Sequence, residues 1–119
     1  IALAIGGVLV KQEVELDKAE SMFLEAMKIT KELVGEDHQI VAAAMRGLGD
    51  VHRESGKVEL ALKSYRTSAS ITEKLVGPGD NLDMAATKYS MSIVLRKLGN
   101  PEEAEKHRLD AERVFTAVL

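Results

Sequence analysis

The sequence predicts an all-α fold, a solenoid of three helical hairpins made of six helices, and three observations predict it. The stretch Lys31-Glu32-Leu33-Val34-Gly35 returns 42 residues later as Glu73-Lys74-Leu75-Val76-Gly77, and self-similarity at so long a period marks a repeat array. Ala19, Ala61 and Ala104 each stand four residues before a bulky position (Phe23, Tyr65, Arg108) and seven before a small one (Ala26, Ser68, Ala111). The same register continues through Ile29, Ile71 and Val114, and then through Leu33, Leu75 and Val118, which is one apolar helix face written three times. Upstream of each copy lies a second helix, in which Gly7, Gly49 and Ser92 share one position and Val10, His52 and Leu95 another. Small residues there let two helix backbones approach closely, while larger ones fill the space between turns.

The elements follow in order. A first helix over 1–13 is expected to turn around Val14 and Glu15 into a second over 16–34, although no glycine stands at that turn. A third helix over 39–55 and a fourth over 58–76 are separated by Gly56, and a fifth over 82–98 ends at Gly99. Glycines following a last helical turn, here also Gly35 and Gly77, supply the left-handed residue that caps a helix. The sixth helix, 101–119, has the clearest start: Asn100 as N-cap, Pro101 at the first helical position and Glu103 placed to close a capping box. The chain reads as one domain, 1–119, with repeats at about 1–35, 39–77 and 82–119. Ile1 to Val10 has neither an initiating Met nor a basic lead, so it reads as a helix cut from a longer chain rather than a signal sequence.

Composition narrows the function. A net charge of -3 with only two Phe and two Tyr argues against a nucleic-acid partner, which calls for clustered basic charge and stacking aromatics. With no cysteine there is no disulfide framework, thiolate metal site or cysteine nucleophile, which fits a reducing, intracellular compartment. No apolar run approaches the roughly 18 residues a membrane span requires. Gly77-Pro78-Gly79-Asp80-Asn81 has glycines that suggest a phosphate loop, but no strand precedes it and no Gly-Lys-Ser/Thr follows; it reads as an insertion in an inter-repeat turn. His38, His52 and His107 show no metal-ligand spacing. His52 falls in a core register, where a satisfied inter-helix role is expected. No catalytic residue, cofactor or metal is expected.

The small-bulky-small pattern, preceded in the second repeat by Leu48 and Gly49 and completed by Gly56, Ala61, Tyr65 and Ser68, resembles the tetratricopeptide repeat (TPR). Units in that family usually run to 34 residues; the longer period here is similar to kinesin light chains, whose inter-repeat segment Val34-Gly35-Glu36-Asp37-His38 resembles closely. Departures are His52 where an aromatic is typical, Arg108 where Phe or Tyr is usual, and Val14 where the turn glycine belongs. The resemblance implies a right-handed superhelix with partners held in a groove lined by the first helix of each hairpin.

In register, that groove takes Ala4, Val8, Lys11 and Gln12 from the first repeat, Arg46, Asp50, Arg53 and Glu54 from the second, and Tyr89, Ile93, Arg96 and Lys97 from the third. Five cations face two carboxylates, in a chain that is acidic overall. This combination points to an acidic or carboxylate-bearing protein segment with apolar anchors. The same charges also fit a plain reading as solvated faces paired locally, Asp50 with Arg53 and Arg46 with Asp50. The two-Lys, two-Asn, one-Arg clamp of chaperone-binding TPR proteins is not matched, since Ala4 and Val8 stand where its first Lys and Asn belong. In size the chain is similar to the short three-repeat module with which plant FLU-type regulators of tetrapyrrole and chlorophyll synthesis grip glutamyl-tRNA reductase, which would place it in the chloroplast. The expectation is a non-enzymatic adaptor that recruits or inhibits one partner protein through this groove, the FLU-type regulator being one form of it; the alternatives are a kinesin-light-chain-like cargo adaptor or a scaffold that self-associates through apolar stripes left uncapped at both ends: Ile1, Ile5 and Val8, and Val114, Phe115, Val118 and Leu119.

Overall fold

The computed structural model describes the backbone of residues 2–77 and 79–118, and the side chains of residues 15–77 and 79–117. Within it the chain forms five helices, α1 (Ala2–Val34), α2 (Gln39–Glu54), α3 (Val58–Val76), α4 (Leu82–Lys97) and α5 (Pro101–Val118). Each packs on the next in sequence, and α2 also touches α4, so the order of contacts is that of a repeat array in which each unit meets only its neighbours.

Five helices rather than six is a correction, and its cause is the turn residue. At the two intra-repeat turns that form, Gly56 takes φ +79° and Gly99 +84°. Lys57 N–H then donates to His52 O at 2.8 Å, and Asn100 N–H to Leu95 O at 2.9 Å, the six-to-one bonds that close a helix on a left-handed residue. The equivalent of Gly56 one period earlier is Val14. A β-branched side chain at positive φ is a genuine outlier, and the left-handed region costs an ordinary residue about 1–2 kcal/mol. The ten residues Lys11 to Glu20 hold neither Gly nor Pro, so nothing interrupts the hydrogen-bond ladder and α1 runs straight through. Among the described residues, no non-glycine residue has positive φ.

The remaining boundaries follow their caps. His38 starts α2, with its Nδ1 accepting from Ile40 N–H at 3.0 Å. Asn81 starts α4 by accepting from Met84 N–H at 3.0 Å. At α5 the predicted capping box takes a variant form. Asn100 Oδ1 accepts from Glu103 N–H, but Glu103 is reached by the Asn100 side-chain amide at 3.0 Å, because the Asn100 backbone N–H is already closing α4.

The core is a series of inter-helix seams. Met27, Val41, Ala42, Ala44, Leu48 and Ile71 join α1, α2 and α3. Ala61, Tyr65, Met91, Val94, Leu95 and Ala104 join α3, α4 and α5. Ala85, Ala111 and Val114 complete the last seam with Phe115 against them. The expected uncapped stripe at the end of α5 is therefore corrected in part: Val114 is buried against α4 and Phe115 half-covered, while the side chains of Val118, Leu119 and Ile1 to Val8 lie outside the described residues.

Two glycines of α2 allow the tightest approaches. A Cβ on Gly49 would stand 2.5 Å from Tyr65 Cε1, and one on Gly47 closer still to Phe23 Cζ. Tyr65 is fully enclosed, and its hydroxyl donates to Asp50 Oδ1. Burial first, and then that acceptor, pushes its pKa well above the ordinary tyrosine value. Buried hydroxyls elsewhere are likewise satisfied: Ser68 Oγ donates across the seam to Ala42 O at 2.7 Å, and Thr72 to Ser68 O at 3.0 Å within its own helix. His107, between α4 and α5, differs. Its Nδ1 is buried without a partner, and burial pushes its pKa down against the opposing pull of Glu103 and Asp110.

Four outcomes follow. Gly49→Ala meets a ring that has no room to swing and is pinned by Asp50, so overpacking of about 1–3 kcal/mol exceeds the roughly 1 kcal/mol of helix propensity gained and the variant melts lower. Gly47→Ala meets the tip of a half-buried Phe23 that can rotate outward and stays close to the parent; equal losses would show the ring positions to be wrong. Ala61→Asp places a charge at a position with no exposure; an uncompensated buried charge costs about 3–5 kcal/mol, and a parent-like melt would refute the register. For His107 the folded state binds its proton more weakly than the unfolded chain. Acidification through the unfolded pKa of about 6.5 therefore loads the unfolded state first and removes stability. His107→Gln should flatten the loss of melting temperature on acidification from about one pH unit above that value to about one unit below it.

Candidate functional site

Positions separated by three, four and seven residues share a helix face, so Arg46, Asp50, Arg53 and Glu54 lie together on α2, and Tyr89, Ile93, Arg96 and Lys97 together on α4. The two helices touch directly. Arg46 spans them, with Nη1 3.6 Å from Asp83 Oδ1 in the first turn of α4. The sequence pairing of Arg46 with Asp50 is thus replaced by one with Asp83. The other expected pair is present: Arg53 Nη2 stands 3.8 Å from Asp50 Oδ1.

Asp50 has a second commitment that the sequence did not show. By accepting from the Tyr65 hydroxyl it serves the α2–α3 seam, so it belongs to the packing as much as to the surface. On α4, Tyr89 is an exposed aromatic, Ile93 is half-buried, and Lys97 is exposed. Arg96 Nη2 approaches Glu105 Oε2 of α5 at 3.5 Å. Ala4, Val8, Lys11 and Gln12 fall on the straight part of α1, where no hairpin is formed, and their side chains lie outside the described residues.

Arg108 occupies the register of Phe23 and Tyr65 without doing their work. Where those rings seat against glycines of α2, Arg108 lies along its own helix between Glu105 and Glu112. The Arg108 hydrogen bonds, ahead of its charge, hold the Glu105 carboxyl below the usual carboxylate range.

Two clefts adjoin α2. One of 250 Å³ lies between the N-terminal ends of α2 and α4, over Ala42, Arg46, Thr72, Leu75, Asp83 and Thr87. The wider, of 620 Å³, lies on the α1–α3 side and does not include the predicted face. Its cations Lys31, Lys63, Arg66 and Lys74 alternate with Glu36, Asp37 and Glu59, and Lys74 stands 3.8 Å from Asp37, so its charges largely cancel. Mixed charge of this kind favours neither an anion nor a cation.

The three histidines are separately employed. His38 caps α2. His52 sits between α3 and α1, 3.5 Å from Ser64 Oγ and 4.0 Å from Glu20 Oε1, in the inter-helix role its register predicts. His107 lies 3.6 Å from Glu103. Among the described residues no cluster of His, Asp and Glu is arranged to hold a metal ion, and no helix is long and apolar enough to cross a membrane. The glycine-rich turn is structural: Asn81 caps α4, and Asp80 accepts two hydrogen bonds from Arg113 of α5, at 2.9 and 3.1 Å.

No curated protein matches the chain. A protein-family model of the tetratricopeptide repeat matches residues 1–74. Those residues take in the glycine-seated aromatics Phe23 and Tyr65 and the Gly56 turn. On that match and this helix order, the chain belongs to the tetratricopeptide repeat family.

Proposed function

We propose that the protein is a non-enzymatic interaction module that recruits or inhibits a partner protein, holding an acidic or carboxylate-bearing segment with apolar anchors against the α2–α4 face. Repeats of this family generally mediate protein–protein interaction. The observation that supports this face is the juxtaposition of Arg46, Arg53, Arg96 and Lys97 with an exposed aromatic, Tyr89, on two helices in direct contact. Arg forks take carboxylates in bidentate fashion, and a rigid amphipathic ring is the usual anchor of a protein contact.

The pairs these arginines already make do not oppose the reading. Arg46 with Asp83 and Arg96 with Glu105 are surface pairs at 3.5–3.6 Å, and such pairs contribute about 0–1 kcal/mol. An incoming carboxylate can take their place at little cost.

The specific form carried forward is a FLU-type negative regulator gripping glutamyl-tRNA reductase, supported by the size of the module; a kinesin-light-chain-like adaptor is its competitor, supported by the Val34–His38 turn, where Gly35 has φ +95° and His38 caps α2. Binding of the purified reductase separates the two.

A labelled Glu/Asp-rich peptide with Leu and Phe anchors and a free C-terminal carboxylate is the general probe, read by fluorescence anisotropy. Arg53→Glu with Arg96→Glu should weaken its capture at least about tenfold, equivalent to 1.4 kcal/mol, with unchanged helix content. Arg53→Gln with Arg96→Gln should fall between, which separates charge from disturbance of the neighbouring Asp50. Parent-like binding by the double Glu variant would refute the face.

A further inference from the structure

We propose that two copies of this chain pair by exchanging helices, the 2–13 part of each α1 lying antiparallel on the 19–33 face of the other copy's α1. The inference rests on register and is independent of what the α2–α4 face binds. Ile71 and Val114 are 7% and 6% exposed because each packs on the helix preceding it in its own repeat, Ile71 with Val41, Ala42 and Ala44 of α2 and Val114 with Ala85 of α4. Their equivalent in α1, Ile29, is 48% exposed, and Met22, the equivalent of the buried Ser64, is 70% exposed.

The helix that should cover this face is the 2–13 segment. One period separates Gly7 from Gly49, and Val10 from His52, so the segment carries the register of a covering helix. It cannot cover its own α1, because α1 does not turn at Val14 and the segment is collinear with the face. A helix and its missing partner, joined without a turn, are completed by the same pair from a second copy. Antiparallel alignment about a two-fold axis satisfies both faces at once, and exchange of identical elements is a low-cost route to a dimer. The dimensions agree: at 1.5 Å per residue the 12-residue 2–13 segment spans about 18 Å and the 15-residue 19–33 face about 22 Å. The exchange also avoids a positive φ at a β-branched residue.

Sedimentation of the 119-residue chain at several concentrations tests this. The expected result is a dimer. Val14→Gly supplies the missing turn residue and should give a monomer with the same helix content. Met22→Glu with Ile29→Glu, both at positions exposed in the single chain, should also give a folded monomer. The chain lacks cysteine, so contacts can be mapped by cross-linking. Val10 and Met22 correspond to His52 and Ser64, which approach to 3.5 Å. A Val10→Cys chain mixed with a Met22→Cys chain should form a disulfide between unlike chains, and neither alone should do so. Three results would overturn the proposal: a parent that is monomeric throughout, a dimer indifferent to the double Glu substitution, or a disulfide that closes only within one chain carrying both cysteines.

Discussion

The sign of one backbone angle at each intra-repeat turn governs the rest of this molecule. Gly56 and Gly99 take positive φ, and from that follow the closed hairpins α2–α3 and α4–α5, the burial of Ile71 and Val114, and the contact of α2 with α4. Val14 holds the same place one period earlier, and there the chain continues as helix. One side-chain methyl pair, acting through a steric exclusion of about 1–2 kcal/mol, thus decides between a folded-back hairpin and a straight 33-residue helix.

Within the closed hairpins, side-chain absence matters as much as presence. Gly49 gives up helix propensity of about 1 kcal/mol and in return admits the Tyr65 ring, whose hydroxyl then needs an acceptor. Asp50, the next residue, provides it. The three positions form one device in which a missing Cβ, a buried ring and a half-exposed carboxylate are each required by the others. This couples fold to surface: Asp50 orients both Tyr65 and Arg53, so the electrostatics of the candidate face are set partly by packing beneath it.

Much of the architecture was legible in the sequence because repeats report themselves. Glycines and caps put the bounds of α2 to α5 within one residue of expectation, since each boundary rests on local chemistry: His38 and Asn81 accepting amide protons, Gly56 and Gly99 turning the backbone. The departure at Val14 stands in the sequence too: the periodic pattern on both sides predicts a turn, and Val14 is the one residue there able to prevent it. The side-chain pairings were less legible. Arg46 reaches Asp83, 37 residues away, instead of the helical neighbour Asp50, and no spacing rule encodes a partner on another helix. Arg108 looked like a failed aromatic, yet it is held by Glu105 and Glu112 at three and four residues' distance, a pairing that i,i+4 logic could have found.

The charged face of α2 and α4 then has to be weighed by what its groups would lose on binding. Arg46, Arg53 and Arg96 each have a carboxylate nearby, so their charge is locally balanced and contributes little long-range attraction under physiological screening, where the Debye length is about 8 Å. On the proposed reading, what a partner would gain there is geometry, a set of guanidinium forks whose present companions are weakly held. Exchange of one carboxylate for another is close to neutral, so discrimination between partners cannot come from the arginines alone. Tyr89 and Ile93 are the groups on this face whose burial would be a net gain, at roughly 25 cal/mol per Å² removed from water. If the proposed acidic segment binds this face, its selectivity would accordingly reside in the apolar anchor, and the acidic residues around it would fix its register.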